Sequence, residues 1–454
     1  MRVLIVSSGL KPDHFGGLPS HVEDTLRGLV ARNIEVAYLN TGARTGRTDT
    51  HISARMDLPC RAWNLESRWA QTAYWNGTVD PVEQVVPDAA FSRAINEVAR
   101  EFEPDIVHFH EFTSFPVSAA AIFRDAGART VFSAHDFYAL CPTTKLQRPD
   151  GTVCDRPAGE LDCDLCSRHA RPVRHLQLES AWDRRLEFSI PARNFVRRMI
   201  RSRERAMREA LPREAYQVRR HEFVRHLAGF DTVLMTSNDQ MRRFEKYCGP
   251  DVRLHLLPLS RTTFAGRQPS PRTDTVTPGR TVFLALNIVN SAKGLTLLER
   301  AFASLSSSHP SAELHLYGPT GTESPGIRRF GKYSDSDLDR IIASADFGLI
   351  PSIWPEAYGY VGPEMLSRGL PVIASNIGAM PDYVVDEGNG LLFDPTTPGA
   401  LLAALRSLLD NSDIRARLWA GVAATPRHYL MMNEHLDQLL ALYDLLLAQA
   451  HARS

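Results

Sequence analysis

Short apolar runs alternate with helical patterns along most of this chain, and this alternation constrains its fold more than any other feature. In a parallel sheet with helices on both faces, buried strands read as such runs and each crossover supplies a helix. The alternation therefore predicts an α/β fold built on parallel sheets. The strand candidates of the first half are Val3–Ser7, Glu35–Leu39, Ile106–Phe109, Thr130–Ala134, Thr232–Met235 and Leu254–Leu257.

A segment rich in Pro, Ser and Thr, 261–280, interrupts the alternation, as a linker does. A chain of 454 residues is also too long for one ordinary core. We predict an N-terminal domain at 1–260, a C-terminal domain at 281–428 and a final helix within 429–454, with a ligand cleft between the domains. The later strand candidates are Thr281–Leu286, Glu313–Tyr317, Phe347–Ile350, Pro371–Ala374 and Leu391–Phe393.

Charge and hydropathy limit the partners and the location of the protein. Basic and acidic residues both number 52, so the global charge predicts no nucleic-acid partner. The first residues, Met-Arg-Val-Leu-Ile-Val-Ser-Ser-Gly, read as a buried strand rather than a signal peptide. No apolar run reaches the roughly 20 residues needed to span a bilayer. We expect a cytoplasmic protein and leave peripheral attachment to the inner face of a membrane open.

Four of the six cysteines are close in sequence and suggest a metal site. Two of them have the Cys-x2-Cys spacing that lets two thiolates reach one tetrahedral ion, and the reducing cytosol disfavours structural disulfides. A structural zinc site is therefore predicted, while thiols without metal remain an alternative. The spacing matches no common iron–sulfur pattern. The four residues are Cys141, Cys154, Cys163 and Cys166, whereas Cys60 and Cys248 stand alone as packing residues.

Two carboxylates, Glu356 and Glu364, flank a glycine-bearing turn that leads into a predicted helix. Helix N-termini bind anions through backbone N–H groups, and glycine permits close approach. The turn can therefore hold a diphosphate while the carboxylates accept hydrogen bonds from sugar hydroxyls. An acidic residue in the first turn of a helix also interacts favourably with the helix dipole, which is a second explanation for Glu364.

This arrangement resembles the Glu-x7-Glu signature of the retaining, nucleotide-sugar-dependent glycosyltransferases of family 4. The flanking runs support the match: Asp-Phe-Gly-Leu-Ile-Pro-Ser from Asp346, Gly-Leu-Pro-Val-Ile from Gly369, and Gly-Asn-Gly-Leu-Leu-Phe from Gly388. The resemblance covers the chain except a basic insertion. It implies the GT-B fold, in which two Rossmann-like doubly wound domains face each other across a cleft and a C-terminal helix crosses back to the first domain.

The resemblance assigns donor-binding roles to several residues of the second half. Glu356 would bind sugar hydroxyls, Glu364 the ribose, and Tyr333 would lie near the nucleobase. Lys293, before Gly294, would neutralise the leaving diphosphate. The stretch 287–292 holds no arginine, although the family has one about five residues before the lysine. The donor-binding residues are Gly17, Lys293, Tyr333, Glu356, Gly359, Tyr360, Val361 and Glu364.

Two segments of the first half match the family as well. Gly16-Gly17 follows the first strand at the family's glycine loop, and His21 comes shortly after. His135 begins a His-Asp-aromatic-x-x-x-Cys-Pro run just past a predicted strand, where this fold places its chemistry. The resemblance puts His135 beside the donor sugar, while Asp136 either orients His135 or caps the next turn. His110 and Glu111 end the preceding strand and are further candidates.

Residues 168–225 hold 16 Arg against 7 Asp plus Glu in an otherwise neutral chain. Several of these arginines recur at helical spacing, which is typical of a basic amphipathic helix that contacts an anionic membrane surface. A solvated insertion with internally paired arginines is the alternative. Aromatic residues are too sparse there for nucleic-acid binding. We describe the segment 141–166 as a Cys-bearing loop and 167–227 as a basic helical insertion of the N-terminal domain.

The resemblance implies transfer of a sugar from a nucleoside-diphosphate sugar to an acceptor hydroxyl with retention of configuration. The acceptor would be a sugar, a lipid-linked molecule or a small molecule. His135, Glu356 and Lys293 would be the catalytic residues, and no catalytic metal would be needed because Lys293, helix dipoles and backbone N–H groups supply positive potential. A sugar-nucleotide epimerase, a phosphorylase and a non-catalytic, zinc-stabilised scaffold remain alternatives.

Overall fold

The computed structural model describes residues 1–451 except 12–13, 15, 43–49, 68, 70–80, 82–83, 156–162, 168–191, 193–194, 197, 200–212, 265–278, 289 and 319–322. Most of the predicted linker at 261–280 and most of the basic segment 168–225 therefore lie outside the described residues. The domain boundaries stay predictions.

The first sheet has eight strands in the order β3-β4-β2-β1-β5-β6-β7-β8, and its strands are parallel except for β3, which runs antiparallel to β4. All six strands predicted in the first half are confirmed within about one residue. The strands are β1 (Arg2–Ser7), β2 (Glu35–Asn40), β3 (His51–Arg55), β4 (Arg61–Glu66), β5 (Ile106–Phe109), β6 (Arg129–Ser133), β7 (Thr232–Met235) and β8 (Leu254–Leu256).

The second sheet has six parallel strands in the order β11-β10-β9-β12-β13-β14. The five strands predicted in this half are confirmed, and β11 adds a sixth at the edge. The strands are β9 (Thr281–Leu286), β10 (Ala312–Tyr317), β11 (Ile327–Gly331), β12 (Phe347–Ile350), β13 (Val372–Ser375) and β14 (Gly390–Phe393).

Helices pack on both faces of the sheets, and the buried strands and helices together form the hydrophobic cores. The helices of the described residues are α1 (Gly17–Ala31), α2 (Ala89–Phe102), α3 (Ala120–Asp125), α4 (Cys163–Cys166), α5 (Arg213–Ala228), α6 (Asn238–Cys248), α7 (Leu295–Ser308), α8 (Leu338–Ala343), α9 (Val361–Leu366), α10 (Met380–Tyr383), α11 (Ala400–Asp410), α12 (Ser412–Ala424) and α13 (Met432–His451).

Helix α13 returns from the second half of the chain to the first sheet, as predicted. Leu436, Leu439 and Tyr443 are buried in the same core as Val3 and Leu26. Burying such side chains stabilises by about 1.5–3 kcal/mol each, so the contact is substantial. Among the described residues, no helix combines the length and apolar character that crossing a membrane requires.

The carboxyl edges of the two sheets face each other across a cleft, where loops from both halves touch. Thr236 Oγ1 donates to the Ala357 carbonyl oxygen at 2.7 Å. Lys11 forms an ion pair with Asp335 at 3.1 Å. The cleft therefore lies where ligands of doubly wound sheets bind.

Candidate active site

An ion pair between Lys293 and Glu356 lies at the carboxyl edge of the second sheet. Lys293 ends a 3-10 turn after β9, and Glu356 lies in the loop after β12. Lys293 Nζ and Glu356 Oε2 are 2.7 Å apart, and Ser352 Oγ donates to the other carboxylate oxygen. The Glu356 side chain is 8% exposed and that of Lys293 30%. The structure thus brings these two predicted residues together and leaves the ammonium accessible from the cleft.

The position of Lys293 depends on the glycine after it. Gly294 adopts φ +84°, and a Cβ atom there would lie 2.0 Å from the carbonyl oxygen of Pro351. No side chain fits, so the lysine turn packs directly on the loop that leads to Glu356. The side chain of Asn290 caps the turn by accepting from the Lys293 N–H at 3.1 Å.

The glycine turn after Glu356 also meets the first half of the chain. Gly359 has φ +81°, and the hydroxyl of Tyr383 donates to its carbonyl oxygen at 3.3 Å. Tyr360 precedes α9, which begins at Val361. A Cβ atom on Gly17, at the start of α1, would lie 2.4 Å from the Tyr360 ring. Gly17 therefore permits a close approach between the two halves.

Glu364, on α9, is buried and accepts a hydrogen bond from Thr263 Oγ1 at 2.7 Å. Burial raises the pKa of Glu364, and the Thr263 hydrogen bond and the positive charge of Arg261 oppose that rise. Arg261 itself is buried and bridges Asp24 and Asp335 at 2.8 and 3.0 Å. The Glu364 carboxylate, which is predicted to bind ribose, thus accepts a hydrogen bond from a protein hydroxyl. A ribose hydroxyl has the same donor chemistry.

Tyr333 follows β11, and its hydroxyl accepts from Asn287 Nδ2 at 2.7 Å. Burial raises the pKa of Tyr333, so its phenol stays neutral. Five residues before Lys293, where the family has arginine, the buried side chain of Ile288 belongs to the core. The stretch 287–288 therefore contributes no cation to the cleft.

A cluster of histidines lies on the opposite side of the cleft, and we call it the histidine cluster. Its members are buried except for His135, which is half-buried. His110 Nδ1 and His135 Nε2 share a hydrogen bond of 2.9 Å. The His110 ring stacks on His108 at 4.2 Å between centroids, and His108 hydrogen-bonds to Tyr443 of α13 at 2.6 Å. The cluster consists of His21, His108, His110, His135 and His435.

Every imidazole of the histidine cluster is held neutral at pH 7. Burial is the largest cause and lowers the pKa of His135 to about 3 and that of His435 to about 4, and the histidines also disfavour charge on one another. Among the described residues, the buried Nε2 atom of His110 has no hydrogen-bond partner. His21 donates from Nδ1 to the Ser260 carbonyl oxygen at 2.7 Å. The cluster therefore offers neutral hydrogen-bonding groups rather than charge.

The two acidic candidates next to these histidines have structural partners. Asp136 accepts from the Tyr138 N–H at 2.8 Å, and burial raises the pKa of Asp136 to about 7. Glu111 accepts from the Ser8 N–H and from Thr113 Oγ1, which ties the ends of β1 and β5 together. This hydrogen bond thus favours the role of a turn cap for Asp136.

One group of side chains in the described residues could hold a metal ion: one ring nitrogen each from His21, His110 and His135 lies within 4.8 Å of the others. The structural zinc site at the four cysteines of the Cys-bearing loop stays a prediction. Because the His110–His135 hydrogen bond already joins two of the three imidazoles, the histidine group has a role without an ion.

Sequence reasoning missed several residues of the site. His435 and Tyr443 join the histidine cluster from α13, hundreds of residues away in sequence, and no local pattern signals such a contact. Arg261 fell within the predicted linker but is buried in the cleft. Ser352 precedes Glu356 by four residues in a recognised motif, which is a signal that could have been used.

Comparison with known families decides the assignment. A model of Glycosyltransferase Family 4 matches residues 15–259, more than half of the chain, and a model of Glycosyl transferases group 1 matches residues 270–420. The chain belongs to glycosyltransferase family 4. A D-inositol 3-phosphate glycosyltransferase from Corynebacterium kroppenstedtii is 29% identical over 154 residues. That match covers 30% of this chain and spans about a third, 34%, of the relative.

Solved structures show the same fold for this family 4 protein. Sucrose-phosphate synthase from Thermosynechococcus elongatus superposes with a TM-score of 0.62 at 16% identity, with 99% of both chains covered. Anabaena Alr3699/HepE in complex with UDP and glucose superposes with a TM-score of 0.58 at 13% identity, with 97% of this chain and 99% of that chain covered. The predicted GT-B fold is thereby confirmed.

Proposed function

We propose that this protein is a retaining glycosyltransferase that moves a sugar from a nucleoside-diphosphate sugar to an acceptor hydroxyl. The ion pair of Lys293 and Glu356, placed across the cleft from neutral histidines, is the observation that carries this proposal. Its family membership and GT-B fold support the same reaction class.

The charged side of the cleft suits the donor. A diphosphate would draw the Lys293 ammonium away from Glu356, since Lys293 remains partly exposed while the carboxylate is buried. The released Glu356 oxygen could then accept hydrogen bonds from sugar hydroxyls. The Lys293 charge stabilises the leaving phosphate more as the bond to the anomeric carbon breaks, which lowers the barrier.

Glu364 and Tyr333 would hold the nucleoside. A ribose hydroxyl would replace the Thr263 hydroxyl as the donor to Glu364, so the buried carboxylate stays satisfied in both states. Tyr333 would contact the base. The backbone of Gly359, Tyr360 and Val361 lies between Glu356 and Glu364 in the chain and would contact the sugar and the diphosphate.

The histidine cluster suits hydroxyl groups. With its pKa lowered to about 3, His135 is a poor base and would orient a sugar hydroxyl rather than remove its proton. The acceptor proton would pass to a phosphate oxygen of the leaving group as the new bond from acceptor oxygen to anomeric carbon forms and the old bond breaks. His110 would be a positioning residue that fixes the ring of His135 through their hydrogen bond.

For the acceptor, we propose chemical classes rather than a single molecule. The name of one relative, D-inositol 3-phosphate glycosyltransferase, suggests polyol phosphates among the first acceptors to test. Lipid-linked sugars follow, because the basic segment 168–225 would bring the protein to an anionic surface. Arg219 does not take part in such a surface, since its side chain is buried.

A transfer assay tests the proposal. Purified protein is incubated with UDP-, GDP-, ADP- and dTDP-sugars and with sugar, polyol-phosphate and lipid-linked acceptors, and the anomeric configuration of early product is read by NMR. We expect transfer with retention. Inverted product would contradict the retaining mechanism, and turnover without acceptor, or only with inorganic phosphate, would instead support an epimerase or a phosphorylase.

A further inference from the structure

The five imidazoles of the histidine cluster form a row, and both ends of the row meet the same helix. Along the row, neighbouring ring centroids are 5.0, 5.4, 5.2 and 4.2 Å apart, in the order His435, His21, His135, His110 and His108. His435 belongs to α13, and the ring of His108 lies 5.9 Å from that of Tyr443, also on α13. The ring of His135 is therefore in the middle of a row that α13 holds from both ends.

His108, at one end of the row, is hydrogen-bonded at both ring nitrogens. Its Nδ1 lies 2.6 Å from the hydroxyl of Tyr443, and its Nε2 lies 2.8 Å from Ser133 Oγ. A neutral imidazole has one donor nitrogen and one acceptor nitrogen, so these two contacts select one tautomer and one ring orientation. All three side chains are buried, where an unmade hydrogen bond would leave a polar atom unsatisfied.

The other end of the row is fixed to the backbone that follows β8. His435 donates from Nδ1 to the carbonyl oxygen of Pro258 at 2.9 Å, and the edge of its ring meets the ring of His21. His21 in turn donates from Nδ1 to the carbonyl oxygen of Ser260 at 2.7 Å. The two histidines therefore keep fixed orientations, each through a main-chain acceptor.

Helix α13 is itself packed firmly against the first sheet. Leu436, Leu439, Tyr443 and Leu446 recur at intervals of three and four residues, so they share one side of the helix. All four are buried in one core with strands of that sheet. His435 and Tyr443 are eight residues apart, or about 12 Å along an α-helix. The helix therefore meets the row at two separate points.

We propose that Tyr443 is a positioning residue, which fixes the orientation of the His135 ring through His108 and His110. The Tyr443 hydroxyl orients His108, whose ring stacks on that of His110 with 29° between the ring planes. His110 Nδ1 then shares the hydrogen bond of 2.9 Å with His135 Nε2. The effect of Tyr443 on turnover rests on the proposed function, whereas its effect on the imidazoles does not.

Nitrogen-15 NMR of the imidazole rings tests this path without any substrate. The two ring nitrogens of a neutral histidine have well-separated chemical shifts when one tautomer is fixed, and the shifts converge when the tautomers exchange. Tyr443→Phe keeps the aromatic ring and removes only the hydroxyl. We expect this variant to bring the two shifts of His108 together and to displace those of His135.

The matched control for the NMR experiment is Leu446→Ala, on the same side of α13. It weakens the packing of the helix and removes no hydrogen bond, so the imidazole shifts should stay as in the wild type. Unaltered His135 shifts in folded Tyr443→Phe would overturn the path. An equal displacement in Leu446→Ala would do the same, because helix packing alone would then explain the effect.

A double-mutant cycle measures the consequence for turnover. Tyr443→Phe should lower kcat by about 2- to 12-fold, which corresponds to the loss of one hydrogen bond. The donor KM should stay nearly unchanged, because the donor-binding residues lie on the other side of the cleft. Added to His110→Phe, the Tyr443→Phe change should lower kcat no further, since both interrupt one path.

Two kinetic results would overturn the role of Tyr443 in turnover. One is a double variant whose kcat falls by the product of the two single effects. The other is a kcat in Leu446→Ala that falls as far as in Tyr443→Phe. Wild-type protein that transfers no sugar at all would instead contradict the proposed function, and the NMR result would then decide the path by itself.

Discussion

The two walls of the cleft use opposite chemistry. On the wall of the second sheet, Lys293 and Glu356 form an ion pair, and the positive charge of Arg261 acts on Glu364. On the wall of the first sheet, burial keeps the imidazoles of the histidine cluster neutral. A charged wall suits a diphosphate, whose charge grows as its bond breaks, whereas a neutral wall suits uncharged hydroxyls. On the proposed function, this difference would let the protein distinguish its donor from its acceptor by charge before shape.

The largest effect should come from removing the cation of the charged wall. Lys293→Met should lower kcat by about 100- to 1,000-fold, because the leaving phosphate loses its nearest positive charge and Glu356 is left without its partner. Steady-state kinetics measure this effect, with Lys246→Met on the outside of α6 as a control. If Lys293→Met keeps wild-type kcat, the charged wall does not serve the leaving group.

A smaller effect on kcat should follow when His135, on the neutral wall, loses the hydrogen bond that fixes its ring. His110→Phe removes the hydrogen bond at 2.9 Å while keeping an aromatic ring, and we expect kcat to fall about tenfold with the donor KM nearly unchanged. His110→Asn keeps a polar atom near Nδ1 and should recover much of the rate. A change confined to KM, or to thermal stability, would show that His110 serves packing alone.

Protonation of the histidine cluster should destabilise the folded protein. The folded-state pKa values of His135 and His435, about 3 and about 4, lie below the ordinary value of 6.5, so the unfolded chain binds more protons in that interval. Stability should therefore be full above pH 6.5 and fall as the pH drops towards 4, by up to about 1.4 kcal/mol per pH unit for each histidine. Urea denaturation across this range measures the slope.

The control for that prediction is a pair of variants. His435→Asn should flatten the dependence of unfolding free energy on pH, because it removes one buried titrating ring. His255→Asn, at an exposed position on β8, should leave it unchanged. If the two variants behave alike, the histidine cluster does not govern acid sensitivity.

The smallest effect should be on donor affinity, through the hydrogen bond that Glu364 accepts. Thr263→Val removes the hydroxyl that now satisfies this carboxylate, which destabilises the ligand-free state only. Donor binding should therefore tighten, by about fivefold if the lost hydrogen bond contributes about 1 kcal/mol. Calorimetry on Thr263→Val and on the neighbouring Thr262→Val provides the comparison. Weaker binding in Thr263→Val would mean that Thr263 contacts the donor itself.

The fold was largely readable from the sequence because its central strands are buried on both faces. Strand β9, Thr281–Leu286, is apolar after its first residue and is buried throughout. The strands β3, β4 and β11 were missed, and two of them, β3 and β11, lie at sheet edges, where exposure admits polar residues. His51–Arg55 and Ile327–Gly331 mix charged and apolar side chains because one face or one edge meets solvent.

The sequence predicted the candidate site only where its residues lie close together along the chain. Glu356 and Glu364 stand in one motif, so their neighbourhood could be predicted, and the Lys-Gly pair pointed to Lys293. The ion pair between Lys293 and Glu356 was not predicted, since tertiary packing sets it over 63 residues of sequence. The contact of His108 with Tyr443 spans 335 residues and carries no local signal at all.

The central claim is that the charged wall binds a nucleoside-diphosphate sugar, and thermal stabilisation by a donor panel tests it most directly. A ligand at about 100 times its Kd should stabilise the folded state by about 2.7 kcal/mol. We predict that one nucleotide series raises the Tm of the wild type and of Glu245→Gln, an exposed control on α6, but not that of Glu364→Gln. A folded wild type that no series stabilises, or equal stabilisation of Glu364→Gln, would contradict the account.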